Sequence, residues 1–165
     1  RFRIGVAFLQ MLSRTLQPLA ATGARDPQAA SLSRLNMEIN IAAAAIMRAD
    51  GATLLVRKRG TSAFMQPGGK IDGDEEARSA LIRELSEELG LTISIDEPVY
   101  IGRFSAPAAN EIDSRVVAEL FRLAIDGPVQ AKAEIEEAVW LKPDMLDGIE
   151  LAPLTKASVL PAIWG

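Results

Sequence analysis

From Met37 onward the sequence predicts an α/β domain. Three observations carry this. Short apolar, strand-like segments stand on both sides of one amphipathic helix, and turn signals separate them. The chain has 165 residues, enough for one domain with a real core. Strands before and after a central helix, in mixed order, point to an α/β sandwich.

The elements follow in order. Ile39 to Met47 is apolar and reads as a strand despite its alanines. Ala49-Asp50-Gly51 is a turn signal, and Thr53 to Val56 continues as a second strand, so a hairpin is expected. Arg57 to Phe64 reads as a basic, flexible loop, and Pro67-Gly68-Gly69 as a tight turn. A helix is expected from near Asp74, a suitable N-cap, to Gly90, a suitable stop. Within it Leu81, Ile82, Leu85 and Leu89 share one arc and face the core. Val99 to Phe104 and Val116 to Ile125 read as strands, with Glu136 to Leu141 as a shorter one. Thr155 to Ile163 reads as a last helix, disturbed near its end by Pro161. No internal repeat is visible.

Composition narrows the chemistry. There is no cysteine, so disulfides and thiolate zinc sites are excluded. There is no histidine either, which removes Ser-His-Asp triads, imidazole bases and His-ligated metals. Acid–base work falls to carboxylates, Lys, Tyr or metal-bound water. No apolar run approaches a membrane span, and the expected location is the cytoplasm. Residues 1–36 differ from the rest: they hold five Arg and one acid, which leaves a net charge of about −8 from Met37 onward. They read as an N-terminal extension to a domain over 37–165, with a targeting segment or a packing helix as the alternatives. An acidic domain argues against a nucleic-acid polymer as partner, but not against a small phosphorylated substrate whose charge metal ions neutralise.

The helix carries the chemistry. Glu84, Glu87 and Glu88 are three and four residues apart, hence surface neighbours, and such like charges repel by a few tenths of a kcal/mol per pair. A hard divalent cation such as Mg²⁺ offsets this, because it takes oxygen ligands and often brings a phosphate with it. Taken alone, Glu-x-x-Glu-Glu on a helix is more often a solvated face.

The wider pattern is more specific. Gly69, Glu75, Arg83, Glu84, Leu85, Glu87, Glu88, Gly90 and Leu91 fit Gly, five residues, Glu, seven residues, Arg-Glu-apolar-any-Glu-Glu-any-Gly-apolar. A chance match at a given window is on the order of one in a billion. This stretch resembles the signature of the Nudix hydrolases. The resemblance covers roughly Ile39 to Ile163, but only the segment from Gly69 to Leu91 is specific. It implies a Nudix-type α/β/α sandwich, with a mixed sheet and a loop-helix-loop catalytic motif. It also implies that Glu84, Glu87 and Glu88 are metal ligands, that the Gly68 carbonyl helps bind metal, and that Arg83 and Glu75 support the ligand carboxylates. Gly68 and Gly69 leave the backbone bare where the loop turns into the site. A further acid from outside the signature is expected as ligand or base. Glu134 is the first candidate, six residues before Trp140, with Glu136 and Glu137 as rivals.

The same resemblance implies an Mg²⁺-dependent hydrolase, with Mn²⁺ as substitute, cleaving the diphosphate linkage of a nucleoside diphosphate joined to another group. MutT-like action on nucleoside triphosphates leads, with nucleotide sugars or dinucleotides next. A non-catalytic nucleotide-sensing module is the alternative of another class, which the intact acids disfavour. Arg57, Lys58 and Gly69 are candidate contacts to the substrate, the two basic residues toward its phosphates. Thr155 stands where MutT-type members have a base-reading asparagine, so strong selection of oxidised guanine is not expected. Phe64, Met65 and Phe104 read as core more than as a base pocket, and Trp140 as core. A monomer or a homodimer is expected.

Overall fold

The computed structural model describes residues 37–109 and 113–165. The expectations for residues 1–36 lie outside the described residues. Among the described residues, six strands form one mixed sheet: β1 (Met37–Met47), β2 (Thr53–Lys58), β3 (Gly68–Lys70), β4 (Val99–Pro107), β5 (Ser114–Ala124) and β6 (Ile135–Leu141). Their order is β4-β5-β1-β2-β6, with β3 also paired to β1.

β1 is the axis of the sheet. It pairs parallel with β5 along its whole length, from Met37 opposite Ser114 to Met47 opposite Ala124. A central strand next to a parallel partner is covered on both faces and reads as a continuous apolar run. Ala42 to Ile46 are all buried. Successive side chains point to opposite faces. Ala42, Ala44 and Ile46 therefore join Leu54, Val56, Phe121 and Leu123 on one face, against Leu81, Leu85 and Leu89 of helix α1 (Ala77–Leu89). Ala43 and Ala45 join Ala118 and Leu120 on the other, against Leu154 and Val159 of the C-terminal segment. Helical segments on both faces give the expected α/β/α sandwich. The alanines belong to β1 because elements pack closely on both of its sides.

The expected β1–β2 hairpin is corrected in part. The turn exists, but the two strands pair only at Met47 and Thr53. β2 gives its length to β6, from Thr53 opposite Leu141 to Lys58 opposite Ile135. β3 takes the freed edge of β1, with Ala42 opposite Gly69 and Ala43 opposite Gly68. The Pro-Gly-Gly turn thus enters the sheet as a wedge between two strands that splay apart. The stretch Arg57 to Phe64 is not a flexible loop. Arg57 and Lys58 end β2, Thr61 N–H donates to the Lys58 carbonyl at 3.1 Å, and Val56 and Met65 exchange backbone hydrogen bonds of 2.8 and 2.9 Å.

α1 begins later than expected. Glu76, not Asp74, is its N-cap and accepts from Ser79 N–H at 3.2 Å. Gly90 ends the helix as expected, in the left-handed region at φ 65°. Leu81, Leu85 and Leu89 are buried, while Ile82 is half-buried at the edge of the same arc. The C-terminal helix is disturbed more than the sequence implied. Thr155–Val159 is a π turn in which Leu160 N–H donates to the Thr155 carbonyl, and α2 (Leu160–Trp164) follows with Pro161 in its first turn. Proline has no N–H for an α-type bond, so regular α geometry starts only around it. Among the described residues, no helix is long and apolar enough to cross a membrane.

Candidate functional site

The wedge of β3 brings the Gly68–Gly69 backbone against α1. Gly68 lies at φ 139°, and a methyl group there would overlap the Ala42 carbonyl. A methyl at Gly69 would overlap the Glu84 carboxylate. At Gly68 both conformation and close approach to backbone require glycine, whereas at Gly69 only close approach to the Glu84 carboxylate does. Gly68 N–H donates to Glu88 Oε2 at 2.9 Å. The two glycines therefore seat two of the signature carboxylates.

Glu84 is also held from its own helix. Arg83 Nη1 donates to Glu84 Oε1 at 2.7 Å. The Arg83 guanidinium is gripped in turn by both oxygens of Glu75, at 3.2 and 2.9 Å, and by the Lys70 carbonyl at 3.1 Å. Its hydrogen bonds to Glu75 and then Glu84 raise the Arg83 pKa, and the bond from Arg83 lowers that of Glu75. A fixed charge thus orients the Glu84 carboxylate, the arrangement that outer partners give to metal ligands. Gly69→Ala, which displaces Glu84 without removing it, is expected to weaken Mn²⁺ binding by about 10- to 100-fold. Isothermal titration of the folded variant checks this; unchanged affinity would mean that Glu84 is not a ligand.

Glu88 is the unusual acid. Its side chain is 0% exposed. Lys58 Nζ lies 3.1 Å from that oxygen and 3.0 Å from Glu134 Oε1. Burial pushes the Glu88 pKa up, outweighing the opposing pull of Lys58 and of Gly68 N–H. Burial pulls Lys58 down, but Glu88 and Glu134 together outweigh it and its pKa is raised. The hydrogen bond from Lys58 lowers Glu134. The ammonium keeps its proton between two carboxylates.

Glu84, Glu88 and Glu134 form one cluster, with a ligand oxygen from each lying within 4.8 Å of the others. An all-carboxylate donor set, one of whose buried oxygens is met by a single ammonium, is the hard-oxygen chemistry that suits Mg²⁺ or Mn²⁺. Glu87 is not brought into this cluster. Its side chain is 58% exposed and lies 3.9 Å from Arg83 Nη1. Each helical residue turns by about 100°, so neighbours 87 and 88 point well apart, whereas 84 and 88 are stacked. Of the acids outside the signature, Glu134 reaches the cluster. Its rivals Glu136 and Glu137 bind Arg57 instead, at 2.7 and 3.0 Å. Arg57 is therefore engaged with them, with the Thr61 carbonyl and with the face of Phe64.

Beside the cluster opens a cleft of about 210 Å³. Ile39, Ile41, Val116 and Leu154 give it apolar walls, and Lys58, Gln66 and Thr155 add polar groups. Thr155 reaches the cleft but is 1% exposed, and its hydroxyl donates to Gln66 Oε1 at 2.8 Å. Gln66, 6% exposed, carries an Nε2 with no hydrogen-bond partner among the described residues. Sequence reasoning missed it. The available signal was an uncharged polar residue between apolar Phe64-Met65 and a rigid Pro-Gly-Gly turn. Met65 lines the cleft, Phe64 and Phe104 pack in core clusters, and Trp140 is half-buried with Arg48 5.0 Å above its ring.

The NUDIX domain model matches residues 38–163. The CTP pyrophosphohydrolase of Escherichia coli K12 is 33% identical over 116 residues, covering 67% of this chain and 81% of that protein. A MutT-like protein of Streptomyces ambofaciens is 29% identical over 103 residues, covering 62% of each. The match therefore spans less than two thirds of the Streptomyces protein. The crystal structure of a MutT protein from Methanosarcina mazei Go1 superposes with a TM-score of 0.62 at 24% identity, covering 78% of this chain and 92% of that one. That likeness is one of fold.

Proposed function

Because the chain belongs to the NUDIX domain family of hydrolases acting on pyrophosphate bonds, we propose that it is an Mg²⁺-dependent nucleotide diphosphatase, able to use Mn²⁺. Its substrates on this reading are nucleoside triphosphates, and the product retaining the base is a nucleoside monophosphate. It works as a cytoplasmic monomer or homodimer on small nucleotides, not on nucleic-acid polymers.

The observation that carries the reading is the convergence of Glu84, Glu88 and Glu134 beside a mainly apolar cleft. The apolar cleft suits a base, and the carboxylate cluster reached through Lys58 suits a diphosphate with its cation. The pyrophosphohydrolase name of the E. coli relative points the same way. Glu84, Glu88 and Glu134, with the Gly68 carbonyl, would hold the ion, and Glu87 would add a carboxylate from the exposed edge of α1. A bound Mg²⁺ neutralises phosphate charge and lowers the pKa of the attacking water. The chain supplies the positioning. Arg83 and Glu75 fix Glu84, Gly68 N–H fixes Glu88, and Glu134, whose pKa is lowered, stays ionised to orient the water or take its proton. Lys58, which lines the cleft, supplies positive charge toward the phosphates, while Arg57 is held by Glu136 and Glu137.

The test is a product-release screen over canonical and oxidised nucleoside triphosphates, nucleotide sugars and dinucleotides, with Mg²⁺ and with Mn²⁺. Highest kcat/KM on a triphosphate supports the reading. A clear preference for nucleotide sugars or dinucleotides would move the substrate class, and binding without turnover would make this a sensing module. Within the screen, oxidised dGTP is expected to exceed dGTP by less than about tenfold, a gap of roughly 1.4 kcal/mol. The Thr155 hydroxyl is a single short donor already given to Gln66, so it offers no planar amide to a purine edge. A thousandfold preference in kcat/KM would mean that another group reads the oxidised edge.

A further inference from the structure

Resting on the nucleotide diphosphatase reading, we propose that Gln66 is the specificity-determining residue of this site. Its Nε2 donates to a nucleobase acceptor, a ring carbonyl oxygen or an unprotonated ring nitrogen.

Three observations support it. Gln66 lines the cleft yet is 6% exposed, so its amide has little access to bulk water. The Thr155 hydroxyl donates to Oε1 at 2.8 Å, which occupies the oxygen end of the amide and turns the other end away from Thr155. Nε2 is then a buried donor with no partner among the described residues. Buried polar groups are almost always satisfied, and an exception calls for an explanation. A ligand acceptor in the cleft is that explanation.

Position agrees with chemistry. Gln66 stands two residues before Gly68, whose N–H holds Glu88. Two residues span at most about 7 Å of backbone, so the amide and the carboxylate cluster lie within the reach of one nucleotide. Lys58 belongs to both, lining the cleft and bridging Glu88 and Glu134. Ile39, Ile41 and Leu154 offer a base ring apolar contact, and beyond Gln66 and Thr155 the hydrogen-bonding side chains of the lining are the cations Lys58 and Lys70. A site built to hydrogen-bond a substrate rejects analogues that leave its polar groups unpaired. Thr155 is a positioning residue in this scheme, because it acts through Gln66.

The experiment compares the wild type with Gln66→Met, which keeps size and removes the donor, and with Thr155→Val, which frees the amide to rotate. Steady-state kcat and KM are measured with Mg²⁺ for CTP, UTP, ATP and GTP. Binding of the four monophosphates is measured separately by calorimetry, and thermal melts verify folding. For Gln66→Met, KM of the best nucleotide is expected to rise at least tenfold while kcat changes less than threefold. The spread between best and worst base should collapse to within about threefold, and monophosphate affinity should fall in step. Thr155→Val should move the same quantities in the same direction by less. If Gln66→Met does not fold, Gln66→Glu keeps the shape and the Thr155 hydrogen bond but replaces the donor by an acceptor, and the ranking of bases should change. Unchanged KM, ranking and monophosphate affinity in a folded variant would overturn the assignment, with the diphosphatase reading intact. A wild type that binds monophosphates through Gln66 but hydrolyses no triphosphate would overturn the diphosphatase reading and leave this one. A wild type that binds none of the four overturns the assignment of Gln66.

Discussion

Glu88→Gln is expected to lower kcat about 100- to 1000-fold or more while the domain stays folded. The loss is that of a fixed charge at the reacting centre, which is costly to catalysis where water is excluded. Glutamine has nearly the same shape, and its side-chain oxygen can still accept from Gly68 N–H, the 2.9 Å bond that seats Glu88. What disappears is the anionic oxygen facing Lys58 and the candidate ion position. The fold should tolerate the change because burial already disfavours the ionised form, which is why the Glu88 pKa is raised. The sign of the pH dependence follows. A carboxylate whose folded pKa lies above its unfolded value contributes stability below the unfolded value, and that contribution is lost as pH rises through the folded one. Metal-free wild type should therefore lose stability on going from acid toward neutral pH through this group, and Glu88→Gln should not. Turnover with Mg²⁺ and melting curves in EDTA across pH check both halves. Retention of activity within tenfold would remove Glu88 from the mechanism.

Lys58→Met is expected to act in the opposite sense on fold and on metal. Without an ion, Lys58 compensates a fully buried carboxylate and a second, half-exposed one. Removing one partner of a buried pair costs about 3–5 kcal/mol, and the low end applies because Gly68 N–H still serves Glu88. For a domain of this size a loss of about 3 kcal/mol lowers Tm by roughly 6–12 °C. A divalent cation and the ammonium are drawn to the same oxygens, so the variant should bind Mn²⁺ more tightly than the wild type does, and added Mn²⁺ should recover most of the lost Tm. Thermal melts with EDTA and with Mn²⁺, joined to calorimetric Mn²⁺ affinity, make the comparison. A weaker Mn²⁺ affinity would show that Lys58 assists the ion instead of standing in its place.

The parts of the site legible in the sequence are those fixed by local geometry. Glu84 and Glu88 lie one helical turn apart, so their shared direction follows from spacing alone, as does the bond from Arg83 to its neighbour Glu84. Gly90 announced its own cap. The Asp72-Gly73-Asp74-Glu75-Glu76 run offered several acids for the other end. Competition among them decided the boundary: Glu75 is drawn to Arg83, and Glu76 is left to cap. Glu134 could be named only as one of three, because its position depends on a distant pairing. β2 and β6 slip register between Arg57 and Lys58, Arg59 N–H donates to the Glu134 carbonyl at 2.9 Å, and Glu134 lands beside Lys58 while Glu136 and Glu137 fall to Arg57. The β1–β2 hairpin was misread for a similar reason. The turn chemistry was right, but β3, β5 and β6 compete for the same strand edges, and tertiary pairing won. Gln66 could not be singled out because burial, not residue type, gives it meaning.

The parallel pairing of β1 with β5 sets a timetable for folding. Met37 meets Ser114, a partner 77 positions later, and the same offset holds to Met47 and Ala124. Contacts of such long range make folding slow, since the intervening chain must be closed before they form. On the ribosome, at about 5–20 residues per second, β1 waits roughly 4–15 s for its partner strand to be made. Throughout that interval Ile41-Ala42-Ala43-Ala44-Ala45-Ile46-Met47 is an apolar strand with no charge of its own. A charge placed there would guard against aggregation, but both faces of the strand are buried in the finished domain. The strand that organises the sheet is thus an apolar segment open to misassociation during synthesis, and fewer simultaneous nascent chains, which leave the wait unchanged but thin out its partners, should favour soluble product.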